Sequence, residues 1–97
     1  MAYRITNYTR EQARKMGVTV KPSTRAGKKL DVFKGGRKVA SIGALGMGDY
    51  PTFMREERQG KHPKGFAAAR RKAYKSRHAN NRSIVGSAGW YADKLLW

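Results

Sequence analysis

The sequence contains no cysteine and few acidic residues. The absence of cysteine excludes disulfide cross-links, thiolate zinc sites and cysteine nucleophiles. Only six Asp and Glu are present, and the one close pair, Glu56 and Glu57, lies in a polar stretch typical of solvated surface. His62 and His78 have no acid at ligand spacing, so each is interpreted as a surface or phosphate-facing histidine. We therefore expect no enzymatic activity, no cofactor and no metal.

Long hydrophobic runs are also absent. No segment approaches the roughly 18 apolar residues that span a bilayer, and the first residues contain no apolar signal-peptide core. The glycines of GALGMG at 43–48 match neither the dinucleotide fingerprint nor the P-loop. We expect no membrane partner, and a protein of the cell interior or one carried inside a particle.

Positive charge is abundant, with 22 Lys and Arg and a net charge of +16. Residues 61–82 contain eight Lys or Arg, two His and no acid, and residues 21–29 form a second basic cluster. Nucleic-acid phosphate is the commonest partner for such a surface, although a solvated loop is an equal alternative for 21–29. The predicted phosphate contacts are Lys21, Arg25, Lys28, Lys29, Arg70, Arg71, Lys72, Lys75, Arg77 and His78.

The fold expected from the sequence is a small α+β domain. LDVFK at 30–34 and RKVASI at 37–42 alternate around Gly35-Gly36, which predicts a hairpin with Leu30 and Val32 on one face. Helices are predicted over about 64–78 and 87–97, the second capped by Ser87 or Ser83, and they should cover the hairpin.

The N-terminal part is expected to be a mobile basic region over 1–28, followed by the α+β domain over 29–97. It should contain a short helix at about 10–16, with Thr9 and Gln12 at capping-box spacing and Gly17 as its C-cap. The loop 21–29 contains Pro22, Ser23 and Gly27, which argue against regular structure.

Residues 43–54 form an unusually apolar loop. Its large side chains could cover the core or form a partner-binding patch, and we assign Tyr50 and Phe53 as candidate partner contacts. Trp97 is a third candidate, because the ending LLW should dock into the core or into a neighbouring subunit.

Three blocks of the chain resemble a family of small, basic, uncharacterised proteins of large eukaryotic DNA viruses and some bacteriophages. The blocks are KLDVFKGGRKVASIGALGMGDY at 29–50, AYKSRH at 73–78 and SAGWYADKLLW at 87–97. The resemblance implies a virus-related, virion-associated protein, located in the virion or in the host-cell interior (nucleus or cytoplasm), and it implies no activity. Its signature positions are Tyr74, Arg77, His78, Trp90 and Trp97.

Three functions remain open at this point. The first is a non-enzymatic viral protein that binds nucleic acid, with little dependence on base sequence, through phosphate contacts. The second is a minor capsid protein that cements larger subunits by contacting their acidic surfaces, as a homo-oligomer or within a larger viral assembly. The third is an adaptor that binds a host or viral protein complex through residues 43–54.

Overall fold

The computed structural model describes residues 3–97, except for the side chain of Asn81. It confirms the small α+β domain, which within those residues contains a three-stranded antiparallel sheet and four α-helices. The elements in chain order are α1 (Asn7–Met16), β1 (Thr19–Pro22), β2 (Lys28–Lys34), β3 (Arg37–Ala44), α2 (Tyr50–Arg58), α3 (Phe66–Arg77), a 3-10 turn (Asn81–Ser83) and α4 (Ala88–Leu96).

The predicted hairpin is formed by β2 and β3. Gly35 and Gly36 make its turn with φ of 59° and 81°, the left-handed region that a two-residue hairpin turn of this kind requires. Leu30 lies opposite Ile42 and Val32 opposite Ala40, so the middle of one face of the hairpin is apolar. This face forms the sheet side of the core.

Helix α4 packs on that apolar face and supplies the other half of the core. Ser87 is its N-cap and accepts a hydrogen bond from the amide of Trp90. Leu95 and Leu96 are fully buried and Trp97 is 9% exposed. The LLW segment therefore packs into the core of its own chain, and the ring of Trp97, the third candidate partner contact, stacks on Tyr74 of α3.

The N-terminal residues belong to the same packed unit. Thr9 is buried and its hydroxyl donates to the Leu95 carbonyl oxygen at 2.8 Å, and Ala13 and Val20 lie in the core. The structure thus differs from the separate basic region expected over 1–28. Helix α1 begins earlier than predicted, because Thr6 rather than Thr9 is the N-cap, while Gly17 is the left-handed C-cap as predicted.

Two elements were missed by the sequence analysis. Strand β1 lies at the sheet edge, where Pro22 is tolerated because its nitrogen need not donate to a neighbouring strand. Helix α2 starts beside Pro51, and a proline in the first helical turn sacrifices no intrahelical hydrogen bond. Both C-terminal helices were expected to cover the hairpin. Because α2 is present, α3 packs mainly on α2, and α4 covers the sheet.

Candidate nucleic-acid interface

Two buried aspartates are bound by lysines of the same chain. The Asp49 carboxylate accepts a hydrogen bond from Lys29 Nζ at 2.8 Å, and both side chains are buried. The Asp93 carboxylate accepts from Lys75 Nζ at 2.6 Å, with Asp93 buried and Lys75 half-buried. Burial strengthens each attraction, because little water remains to screen it.

A third buried carboxylate, Asp31, lies on the sheet face opposite the core. The hydroxyls of Ser23 and Ser41 donate to it at 2.6 and 2.7 Å, and the Thr24 amide and Lys38 also contact it. Burial alone would raise the pKa of Asp31, but these hydrogen bonds and the Lys38 charge outweigh it and lower the pKa to about 2.

The three glutamates are also engaged. Glu57 accepts a hydrogen bond from the Ala67 amide at 2.9 Å, and this bond, with others to the start of α3, lowers its pKa. Gly65, the N-cap of α3, has no side chain to do this, so a residue of α2 caps the next helix. Glu56 lies 2.9 Å from His62, and Glu11 pairs with Arg14.

All six side-chain carboxylates are therefore bound by groups of the protein itself. The Lys and Arg residues that form ion pairs with them are Arg14, Lys29, Lys38, Lys75 and Lys94. Within residues 3–97, the other Lys and Arg have no side-chain carboxylate within 4.0 Å. The positive surface thus lacks intramolecular neutralisation.

Three of the predicted phosphate contacts occupy positions that do not suit that role. Lys29 is only 4% exposed and its charge is paired with Asp49, so its assignment as a surface contact is wrong. Lys75 is held by Asp93. Arg71 lies against α2, with its guanidinium carbon 4.8 Å from the Tyr50 ring centroid and its Nε buried without a hydrogen-bond partner.

The remaining predicted contacts are open to solvent to differing degrees. The exposed ones are Lys21, Arg25, Arg70, Lys72 and Arg77, and the half-buried ones are Lys28 and His78. Lys21 lies apart on the outer sheet face, with its ammonium 5.3 Å from the Phe33 ring centroid.

Several of these residues meet at one cleft, which we call the aromatic cleft. It has a volume of about 280 Å³ and lies between the end of β3, the loop before α2, α3 and α4. Its lining residues are Lys29, Gly43, Ala44, Met47, Gly48, Arg70, Tyr74, Arg77, His78, Ala92, Leu96 and Trp97. No acidic side chain is among them.

A column of rings forms part of the wall. The Tyr74 and Trp97 rings stack in parallel, with centroids 4.2 Å apart and an interplanar angle of 6°. The His78 ring lies 4.3 Å from Tyr74 at 30°. Burial, with the nearby Asp93 carboxylate, raises the pKa of Tyr74.

Adjoining grooves extend the positive surface. Lys28 borders a shallow groove of about 190 Å³ that shares Tyr74 and His78 with the aromatic cleft. It also borders a further groove that contains Arg25. The structure thus brings Lys28, Arg70, Arg77 and His78 around connected clefts, with Arg25 beyond Lys28.

A second cationic cleft escaped the sequence analysis. It has a volume of about 550 Å³ and lies between the start of α1 and helix α2, where it is lined by Arg4, Arg55 and Arg58 and by no acidic side chain. The i, i+3 spacing of Arg55 and Arg58 would have placed them on one helical face, but only if α2 had been recognised.

Tyr50 and Phe53, the other candidate partner contacts, are used inside the domain. Tyr50 packs edge-on against Tyr8 with ring centroids 5.6 Å apart. Phe53 packs edge-on against Phe66 at 5.3 Å and lies 6.2 Å from Trp97. Residues 43–54 were expected either to cover the core or to form a partner-binding patch. The Tyr50 and Phe53 rings cover the core, while Leu45 and Met47 remain 44% and 66% exposed.

The described part of the chain holds no group of three His, Asp or Glu side chains placed to bind a metal ion. None of its helices combines the length and the apolar character required to cross a bilayer. Comparisons with protein-family models, with curated proteins and with solved structures gave no match.

Proposed function

We propose that this protein is a non-enzymatic, virus-encoded, virion-associated protein that binds nucleic acid through phosphate contacts. The observation that carries the proposal is that every side-chain carboxylate is already bound by the chain. A protein with net charge +16, whose side-chain carboxylates are already bound within the chain, presents a positive potential that attracts an external polyanion. Contact with phosphates would also release condensed cations, which favours binding.

The arrangement around the aromatic cleft supports the same proposal. Arg70 and Arg77 lie seven residues apart on α3, two helical turns, and both line the cleft. Tyr74, Arg77, His78 and Trp97, four of the five signature positions of the viral resemblance, meet there. The contacts expected are to phosphates, which fix position without reading sequence.

The test is a fluorescence-anisotropy titration of a 20-base-pair DNA duplex across a salt series. Affinity should fall steeply with salt, with a log–log slope of about −0.9 per phosphate contacted. Equal affinity at about 50 and 300 mM salt would contradict the proposal, because the electrostatic contribution would then be missing.

A matched pair of triple variants locates the binding surface. Arg70→Ala/Lys72→Ala/Arg77→Ala removes three exposed charges of α3, and Lys15→Ala/Lys34→Ala/Arg37→Ala removes three exposed charges elsewhere. The first variant should bind more weakly and with a flatter salt slope than the second. Equal loss in both would show that only net charge matters and that the α3 surface is not the site.

A second candidate, a minor capsid protein, is favoured by a different observation. Ile84 and Val85, between the 3-10 turn and α4, are 61% and 77% exposed, as suits an apolar anchor within a basic surface. Co-purification with capsid after nuclease treatment would support it, and release with the genome would contradict it. For the adaptor hypothesis, Tyr50 and Phe53 pack on other rings of the domain, while Leu45 and Met47 of the same segment remain exposed.

A further inference from the structure

We propose that the aromatic cleft binds an unpaired nucleobase, so that the protein prefers single-stranded nucleic acid to a duplex. This inference rests on the proposed function and makes it more specific. Phosphate contacts alone account for the charge of the surface, but they do not account for an apolar, ring-lined cleft between the charged residues.

The first argument is the chemistry of the wall. Ala44, Ala92 and Leu96 supply aliphatic surface, and Tyr74 and Trp97 supply aromatic surface. Met47 lies at the same cleft with 66% of its surface exposed, and a flexible, polarisable thioether adapts well to the face or edge of a planar ring. A nucleobase has apolar faces that gain from leaving water in such a site.

The second argument is size. The cleft volume of about 280 Å³ falls just below the range of about 300–1,000 Å³ that is typical of small-molecule sites. The cleft is therefore large enough to hold one planar heterocycle. A base must leave its stack to enter, which is easiest for a single strand.

The third argument is the position of the charges. Arg70, Arg77 and His78 line the same cleft as the aromatic rings, so a strand whose base occupies the cleft would have its phosphates beside cationic side chains. Single-strand-binding proteins combine these two features, a basic groove along the backbone and aromatic side chains that stack on bases.

The fourth argument is that the site is already formed. Trp97 is buried, stacks on Tyr74 and contacts Phe53, so its ring is held by the core. Gly43 also lines the cleft, and a Cβ built on it would lie 2.8 Å from Leu96 Cδ1, which shows how closely the end of β3 approaches α4. A preformed site loses little entropy when a ligand enters.

The experiment compares oligonucleotides that carry equal numbers of phosphates. The probes are (dT)12, (rU)12, an abasic 12-mer and a duplex with matched phosphate number. A Trp90→Phe background leaves Trp97 as the only tryptophan, so its emission reports on the cleft. We expect (dT)12, (rU)12 or both to bind about 5- to 150-fold more tightly than the abasic strand and to change Trp97 emission. The duplex should bind more weakly than the preferred single strand.

Two variants test the location of the base. Met47→Ala should reduce the preference for the base-containing strand while leaving abasic-strand binding unchanged. Val39→Ala, at an exposed apolar residue that does not line the cleft, should leave the preference intact.

Equal affinity for base-containing and abasic strands, with unchanged Trp97 emission, would overturn the inference and leave phosphate binding in place. If Met47→Ala kept the full preference for the base-containing strand, the base would not bind in this cleft. If the folded protein bound none of the probes at 50 mM salt, the proposed function would fall together with the inference.

Discussion

Lys29 Nζ lies 2.8 Å from Asp49 Oδ2, and both side chains are almost completely buried. The Tyr3 hydroxyl donates to the same oxygen at 2.8 Å, and the Thr52 amide donates to the other oxygen at 2.9 Å. Asp49 therefore joins the N-terminal segment, β2 and α2. Burial, with the Asp49 charge beside it, raises the pKa of Tyr3, so its phenol remains a hydrogen-bond donor at all ordinary pH.

The Lys29→Met variant should be strongly destabilised. It keeps the aliphatic length but leaves the Asp49 charge buried without its cation, a change that costs roughly 3–5 kcal/mol in comparable pairs. The measurement is urea unfolding followed by circular dichroism. Lys28→Met, one residue away and half-buried without an ion pair, is the matched control and should change stability little.

A double variant separates the charge effect from packing. Lys29→Met/Asp49→Asn removes both charges while the asparagine can still cap α2. It should recover part of the stability lost in Lys29→Met. A double variant less stable than Lys29→Met would show that the unpaired carboxylate is not the source of the loss.

Asp31 should control the acid stability of the domain. Its pKa is lowered from 3.8 to about 2 in the folded state, so the ionised form contributes stability that is complete above about pH 4. That contribution is lost as pH falls through about 2. Asp31→Asn should therefore be less stable than the parent at pH 7 and should lose less stability between pH 4 and 2. Parallel pH profiles for the two proteins would contradict this assignment.

Glu57 should hold the start of α3. Glu57→Ala removes the acceptor for the Ala67 amide, so we expect a lower Tm and faster hydrogen exchange at Phe66 and Ala67. Glu57→Gln keeps an oxygen acceptor but loses the charge, and its effect should be smaller. Unchanged exchange at Phe66 and Ala67 in Glu57→Ala would show that α3 does not depend on this cap.

Short sequence signals correctly predicted those parts of the fold that depend on only a few neighbouring residues. Gly35-Gly36 between alternating strands was sufficient for the hairpin, and Gly17 and Ser87 marked helix ends correctly. Helix α2 was missed because residues 43–54 were interpreted as a loop, although a proline in the first turn, as at Pro51, is compatible with a helix.

The candidate site was predicted only as far as charge allowed. Arg70 and Arg77 are exposed as expected, since a cation without a nearby acid stays in water. The burial of Lys29 depends on Asp49, twenty residues further along the chain, and no local pattern indicates that contact. The aromatic cleft likewise forms only where β3, α3 and α4 come together, and the periodicity of the sequence does not predict how these elements are arranged.

Tyr50 and Phe53 should contribute to stability. Each is half-buried and packs on other rings of the domain, so Tyr50→Ala and Phe53→Ala should both lower Tm. Aromatic-to-alanine changes in full burial cost about 3–5 kcal/mol, and we expect roughly half of that for half-buried rings. Differential scanning calorimetry of each variant measures the change in Tm. Unchanged Tm with loss of a binding partner would return both residues to an interface role.

Gly48 should tolerate no side chain, because the Phe53 ring occupies the space where a Cβ would lie. A Cβ built on Gly48 falls 2.0 Å from Phe53 Cζ, so Gly48→Ala must displace that ring or the loop. Overpacking of this kind typically costs about 1–3 kcal/mol. Because Phe53 lies 6.2 Å from Trp97, the displacement should also alter Trp97 emission in the Trp90→Phe background.

Gly46→Ala is the matched control for this change. Gly46 lies in the same loop at φ 86°, and a Cβ there would meet no atom within 4 Å, so only backbone strain is added. It should lower Tm without changing Trp97 emission. If Gly46→Ala and Gly48→Ala altered that emission equally, the ring displacement inferred for Gly48→Ala would be wrong, because loop strain alone would then account for both.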